Sequence, residues 1–331
     1  MSSGGTFRTR KVLTLLVGLA VSSIFIYLLL GKLDIRQVVT EIRRVRVGIL
    51  LLTIPCGLLG FLAMASRSAV LLQPIAALPL PTLFKSVMVS FAGNNVLPFR
   101  MGELLRVDYL ARRGRVSHSA CLAVLTVERL LDVACLVILF FALVTQVISL
   151  PSAPSLALLA VVVSVALAAL TVMARRPDVF LELLGWGIGW TGERASGWIV
   201  GQARRFTDGL SSLGSIRRVL WAAFFSACYW AAMMLGVRIV LWAFAIEVPW
   251  FAPAVVLVFG AFGAMLPSTP AFIGTFHYFS SLALTTLGVD ATRAASFAIV
   301  QHAMGVVPLT LLSIAVLFGE FSWRDVTSSK R

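Results

Sequence analysis

Polar and apolar positions in this chain fall into long blocks and do not alternate as they would in a soluble fold. Apolar runs at about 12–30, 48–72, 119–150, 155–174, 219–246 and 293–318 approach or exceed the roughly twenty residues a helix needs to cross a bilayer. Two other runs are interrupted. Thr82 to Leu97 is short for a crossing and ends in Asn94-Asn95 and Leu97-Pro98, while Phe251 to Gly288 is broken at Leu266-Pro267 and Pro270. Irregular backbone at membrane depth is tolerated only where protein buries it or it lines a wet cavity. The pattern predicts an all-α, polytopic helical membrane protein of about eight transmembrane helices, one or two of them broken or re-entrant.

The segments between the runs are basic. Gly31 to Val47 carries Lys32, Arg36, Arg43, Arg44 and Arg46 together with Leu33, Ile35, Val38, Val39 and Ile42, the pattern of a helix lying in the interface. Gly102 to Arg115 is a basic amphipathic segment whose Arg112, Arg113 and Arg115 read as surface anchors. Residues 175–218 form the longest non-spanning stretch, with Trp186, Trp190 and Trp198 near Arg194, Arg204, Arg205, Arg217 and Arg218, a composition suited to the headgroup zone. Residues 1–331 are expected to form a single integral membrane domain.

Composition supports this reading. Of 331 residues 59% are hydrophobic and 13% charged, and the mean hydropathy is +0.96. A formal charge of +14 would point to nucleic acid in a soluble protein. Here the basic residues sit at the ends of apolar runs, so the expected partners are membrane lipids with anionic or phosphate-bearing headgroups, and no nucleic acid. Placing both termini, residues 100–115 and residues 175–218 in the cytoplasm puts most Lys and Arg inside, with Lys32 to Arg46 as the exception. The expected location is the plasma (cytoplasmic or inner) membrane. Arg8, Arg10 and Lys11 before Val12 resemble a signal peptide, but the apolar run continues past a short h-region and reads as an uncleaved first span.

Cys56, Cys121, Cys135 and Cys228 lie in apolar segments with no ligand spacing, so neither a metal nor a cofactor is expected. There is no P-loop, HExxH or GxSxG motif. The chain is therefore not expected to be an enzyme, although an intramembrane enzyme acting on a lipid phosphate and a scaffold for a lipid-modifying complex remain alternatives. Partner enzymes of lipid or glycan assembly would fit either a transporter or a scaffold.

Polar side chains inside the apolar runs mark the candidate site. Arg100 and Arg106 can grip phosphate oxygens through a planar fork. Glu103 lies three residues before Arg106 and can hold it when no lipid is present. Glu128 and Asp132 share a helix face, with Arg129 beside them. Two readings stand for that trio: headgroup binding, or an ion-pair cluster stapling helices. Asn94 and Asn95 either satisfy a helix end or touch substrate. Pro98, Gly102, Pro267, Pro270 and Gly274 shape the two breaks. His277 and His302 read either as a proton relay or as neutral groups bonded between helices. Arg67 reads as a snorkelling anchor near the end of its span, with a substrate contact as the alternative, while Arg238 lies within an apolar span and needs a partner or a wet cavity, Glu247 being too far along to be that partner.

The breaks echo each other. Phe91-Ala92-Gly93 with Val96-Leu97-Pro98 resembles Phe262-Gly263 with Met265-Leu266-Pro267, and a glycine follows each, Gly102 and Gly274. Inverted pairs of discontinuous helices meeting near the midplane build many transporter sites. The candidate halves are about 82–150 and 251–318.

Asn94 to Arg106, read as N-x-x-L-P-x-R-x-G-E-x-x-R, then Val127-Glu128-Arg129-Leu130-Leu131-Asp132 and later Leu266-Pro267-Ser268-Thr269-Pro270 with Gly274, resembles the transmembrane domain of lysylphosphatidylglycerol synthases. That family of flippase-like membrane proteins has stand-alone members without the aminoacyl-transferase domain. The resemblance implies movement of a phospholipid or lipid-linked headgroup between leaflets. Because the sequence stops at Arg331, soon after its last span, synthase activity is not expected. There are departures from the family pattern: Ala271-Phe272 follows Pro270 where Gly-Gly is usual, His277 stands where a glutamate is expected, and Gln301-His302 lies where an arginine is common.

Overall fold

The computed structural model describes residues 19–29, 34–97, 100–147, 176–188, 193–210, 215–266 and 269–328. Its helices are α1 (Leu19–Leu29), α2 (Ile35–Arg43), α3 (Val47–Leu50), α4 (Thr53–Leu72), α5 (Leu80–Val96), α6 (Met101–Gly114), α7 (His118–Val147), α8 (Pro177–Ile188), α9 (Glu193–Gly209), α10 (Ile216–Ala243), α11 (Ala252–Met265), a 3-10 turn at Pro270–Phe272, α12 (Thr275–Thr285) and α13 (Ala291–Ser328). No strand occurs among the described residues. The all-α expectation is met, and the chain is an integral membrane protein by its apolar helices.

Among the described residues, three helical stretches are long and apolar enough to cross a bilayer: Val47–Leu72, Ile216–Ala243 and Ala291–Phe318. They coincide with three of the expected spans. Large apolar side chains such as Leu59, Leu62, Leu220, Trp221 and Phe224 stand exposed on them. Such a surface suits hydrocarbon as its solvent, because the helix backbone is internally satisfied. The 30-residue α7 is also long enough to span, at about 45 Å, though charges interrupt its first half.

The shorter helices follow from local chemistry. Pro81 sits in the first turn of α5, where its missing N–H would have no helical acceptor. The 17-residue α5 then runs to Val96, as the break at Asn-Asn and Leu-Pro predicts. The 14-residue α11 and 11-residue α12 rise only about 21 and 16 Å, so neither spans a bilayer alone. They pack directly on each other, the form expected of the broken region at 251–288. The expected span at 155–174, with Pro98, Pro267, Trp190, Lys32, Lys330 and Arg331, lies outside the described residues.

The chain divides into two compact units. The first comprises Met1–Leu59, Ser90–Glu103 and Ala231–Arg331; the second comprises Gly60–Val89 and Leu104–Trp230.

In the first unit α2 packs on α13, and α12 packs on both α11 and α13. The α1 helix is pinned beside the second break, where the Ser22 hydroxyl donates to Thr269 Oγ1 at 3.0 Å and accepts from the Thr269 N–H at 3.1 Å. Phe25 packs with tilted ring contacts against Tyr278 and Phe279 of α12. In the second unit α9 packs on α7 and on α8. Gly209 lets α9 close on α7, since a Cβ there would lie 2.7 Å from the Ala120 carbonyl oxygen. Trp186 is 88% exposed, in keeping with an interfacial position for its stretch.

Candidate functional site

Four ionised side chains lie together in the second unit, each nearly or wholly buried: Arg67, Arg106, Glu128 and Asp132. They come from α4, α6 and α7. Glu128 and Asp132 are one turn apart on α7, so both carboxylates leave the same face. Arg106 meets Glu128 with both ends of its fork, Nη1 to Oε2 at 3.0 Å and Nη2 to Oε1 at 3.4 Å. Arg67 meets Asp132 in the same way, Nη1 to Oδ1 at 2.5 Å and Nη2 to Oδ2 at 3.3 Å, and its Nη2 lies 3.6 Å from Glu128 Oε2.

Three serines add further hydrogen bonds, while Arg67 Nε is buried without an acceptor among the described residues. Ser68 accepts from Arg106 Nη2 at 2.6 Å and lies 2.6 Å from Glu128 Oε1, to which it can donate. Ser86 accepts from Arg106 Nε at 3.4 Å, and Ser226 accepts from Arg67 Nη1 at 2.9 Å. The four buried charges sum to zero, which is the condition for keeping them in a low-dielectric interior. Arg129, at 41% side-chain exposure, adds a third cation at the rim and donates to Asp132 Oδ2 at 3.0 Å.

The sequence grouped Glu128, Arg129 and Asp132 and set Arg106 beside Glu103; the structure gives Arg106 to Glu128 instead. Arg67 requires a correction: it is 0% exposed and paired with Asp132, so it does not snorkel to the interface. The physical reason is charge balance. Two buried carboxylates facing Arg106 need a second buried cation, and α4 supplies it. Ser68, Ser86 and Ser226 went unremarked in the sequence; their only signal is that polar residues recur on apolar helices at positions facing those charges.

The first unit holds both breaks. Past the α5 end, Arg100 takes a left-handed backbone (φ 52°) and sends Nη2 to the Ala264 carbonyl at 2.9 Å, with its guanidinium 5.0 Å over the Phe272 ring. Ala264 is in the last turn of α11, whose terminal carbonyls lack helical donors and carry partial negative charge. Arg100 thus joins the two interruptions that the sequence echo paired. The second break, whose residues Leu266 to His277 include no Asp, Glu, Lys or Arg, receives a charge from the first.

Asn95 donates to Thr310 Oγ1 on α13 at 2.8 Å. Asn94 turns its side-chain oxygen inward, where it has no hydrogen-bond partner among the described residues. Gly102 lies against both Ser90 and Asn94.

The second break is held by its histidines. Ala271, Phe272 and Gly274 all have positive φ, costly for the alanine and especially the phenylalanine. His302 lies with Nε2 2.7 Å from the Ala271 carbonyl, a contact it can make only as donor. His277 Nδ1 accepts from the Gly274 N–H at 3.2 Å. The rings meet edge to face at 4.5 Å. His277 is the third residue of α12, the place where a glutamate or glutamine in a capping box accepts the cap N–H. It therefore performs the backbone task of the glutamate that the resemblance led one to expect there. Replacing His277 with Leu is expected to cost about 1–3 kcal/mol through the orphaned Gly274 N–H, and Gln, which keeps an acceptor, to restore most of it. Thermal denaturation in detergent measures both.

Other charges play peripheral parts. On α6, hydrogen bonds from His118 and Arg112 hold the exposed Asp108 carboxyl below its ordinary range. Arg113 lies over the Tyr109 ring at 5.3 Å. Arg238 finds its partners in the Trp250 and Pro249 carbonyls, at 2.9 and 3.4 Å.

Comparison with known proteins agrees with the motif reading. No curated protein matches the chain. The family model described as Lysylphosphatidylglycerol synthase TM region matches residues 15–313, which is most of the sequence, and includes both breaks and all the charges above. The chain therefore belongs to the lysylphosphatidylglycerol synthase transmembrane-region family.

Proposed function

We propose that this protein is a lipid flippase or transporter that moves a phospholipid or lipid-linked headgroup between leaflets of the plasma membrane, with its termini in the cytoplasm. The observation that carries the reading is Arg100 at the meeting of two interrupted helices, hydrogen-bonded to Ala264 O and lying over Phe272. A headgroup leaving water must find replacement polar contacts, because bare charge in hydrocarbon costs several kcal/mol. Interrupted helices supply such contacts as unpaired backbone groups, and arginine supplies a fork for phosphate.

In this reading Asn94, Arg100 and Glu103 contact the headgroup from the first break, and Arg106, Glu128, Arg129 and Asp132 are a separate set of candidate headgroup contacts within the second unit. Arg106 can serve a phosphate only by leaving Glu128, so lipid binding and ion-pair exchange would be one event. The halves 82–150 and 251–318 would act as the inverted elements.

Reconstitution into liposomes with a fluorescent phospholipid tests the function. Arg100→Gln loses a charged hydrogen bond of about 1.5–3 kcal/mol and should slow leaflet exchange by about tenfold or more. Equal exchange in protein-free, parent and variant vesicles would rule out transport of that lipid.

A further inference from the structure

The first unit contains a second polar feature, remote in sequence from both breaks. A cleft of about 410 Å³ is lined by Glu41, Arg44, Val45, Arg46, Ala243, Phe244, Ala245 and Arg293. Its floor is the C-terminal end of α10. There the Arg46 N–H donates to the Ala243 carbonyl at 3.2 Å, and Arg293 Nη2 donates to the Phe244 and Ala245 carbonyls at 2.8 and 3.3 Å. Arg293 is thereby committed to capping that helix end.

The cleft is left with an excess of positive charge. Glu41 is shared between Arg44 at 3.3 Å and Arg293 at 3.5 Å. Arg46 makes no ion pair or side-chain hydrogen bond among the described residues. Three arginines against one glutamate leave a net charge of about two, by the simple charge rule for these side chains. Arg293 Nε is itself the atom that faces Glu41 Oε2, so this arginine is spent on Glu41 and on the end of α10. A cleft with this excess of positive charge and Arg46 at its edge calls for an anion.

The surroundings indicate which anion. Ile35 and Val39 of α2 are exposed apolar residues, 65% and 43%, on a helix whose polar side carries the arginines. Such a helix rests in the headgroup layer with its apolar side toward acyl chains. The cleft at its end then opens where lipid phosphates lie, and its volume is within the range of small-molecule sites.

We propose that this cleft is a docking site for the phosphate-bearing headgroup of an anionic phospholipid, gripped by Arg44 and Arg46. It is a site of residence at the membrane surface and does not depend on whether the protein transports lipid. Glu41 holds Arg44 when the cleft is empty and competes with the incoming phosphate.

The test is native mass spectrometry of the full chain in detergent, titrated with dioleoyl phosphatidylglycerol, dioleoyl phosphatidylcholine or inorganic phosphate. Phosphatidylglycerol should bind in preference to phosphatidylcholine. Arg44→Gln with Arg46→Gln should weaken it by about thirtyfold, at roughly five- to sixfold per surface arginine. Glu41→Gln should tighten binding severalfold, a gain that a misfolded protein would not give. Arg112→Gln with Arg113→Gln changes net charge equally elsewhere and should leave binding unchanged. The proposal is overturned if that control weakens binding as much as the cleft variant does, if Glu41→Gln fails to tighten it, or if inorganic phosphate displaces the lipid at equal concentration.

Discussion

Replacing Glu128 with Ala is expected to destabilise the protein by about 3–5 kcal/mol, the usual cost of removing one partner from a buried ion pair. Glu128 faces Arg106 at 3.0 Å and Arg67 at 3.6 Å, all three side chains being fully buried. Without it Arg106 has serine hydroxyls but no carboxylate, and the interior carries a net positive charge. The double change Arg106→Leu with Glu128→Leu removes both charges and should recover most of the loss, because a buried pair seldom outweighs a well-packed apolar replacement. Denaturation in detergent measures both variants. The stable double variant then separates the two readings of this cluster: a staple leaves leaflet exchange intact, whereas a participant in headgroup passage does not.

Gly102→Ala is expected to be nearly as severe, at about 3 kcal/mol. A Cβ at Gly102 would sit 2.0 Å from the Ser90 carbonyl oxygen, 2.5 Å from the Asn94 nitrogen and 2.6 Å from Asn94 Oδ1. Two of those atoms are backbone, so no rotamer change relieves the clash, and the end of α5 must move away from the start of α6. The expected result is a lowered denaturation midpoint together with loss of any transport, because the shift displaces Arg100 from Ala264. A fully stable Gly102→Ala protein would mean that α5 and α6 do not approach so closely.

Much of the architecture could be read directly from the sequence because membrane helices advertise themselves by length and apolarity. The spans at Ile216–Ala243 and Ala291–Phe318 needed no more than that. The breaks were legible from Asn-Asn, Leu-Pro and Pro-rich chemistry. What distance along the chain hides is pairing. Arg67 and Asp132 are 65 residues apart, and nothing local distinguishes an arginine that snorkels from one that turns inward. Counting buried charges across helices would have distinguished them, since Glu128 and Asp132 needed two cations. Gly102 was visible as part of a motif, but the reason for a glycine there is a contact with Ser90, on another helix. The meeting of Arg100 with Ala264 was hinted at only by the resemblance between the two breaks.

The histidines at the second break carry a mechanical consequence. With Nδ1 of His277 accepting from Gly274 N–H and Nε2 of His302 donating to Ala271 O, each imidazole spends one nitrogen on the backbone. A proton arriving at His277 Nδ1 would place two hydrogens against each other and force the α12 cap open. One arriving at His302 Nδ1 could leave from the far nitrogen only by releasing Ala271. Any proton relay through this pair would therefore require the backbone at Gly274 and Ala271 to move with it.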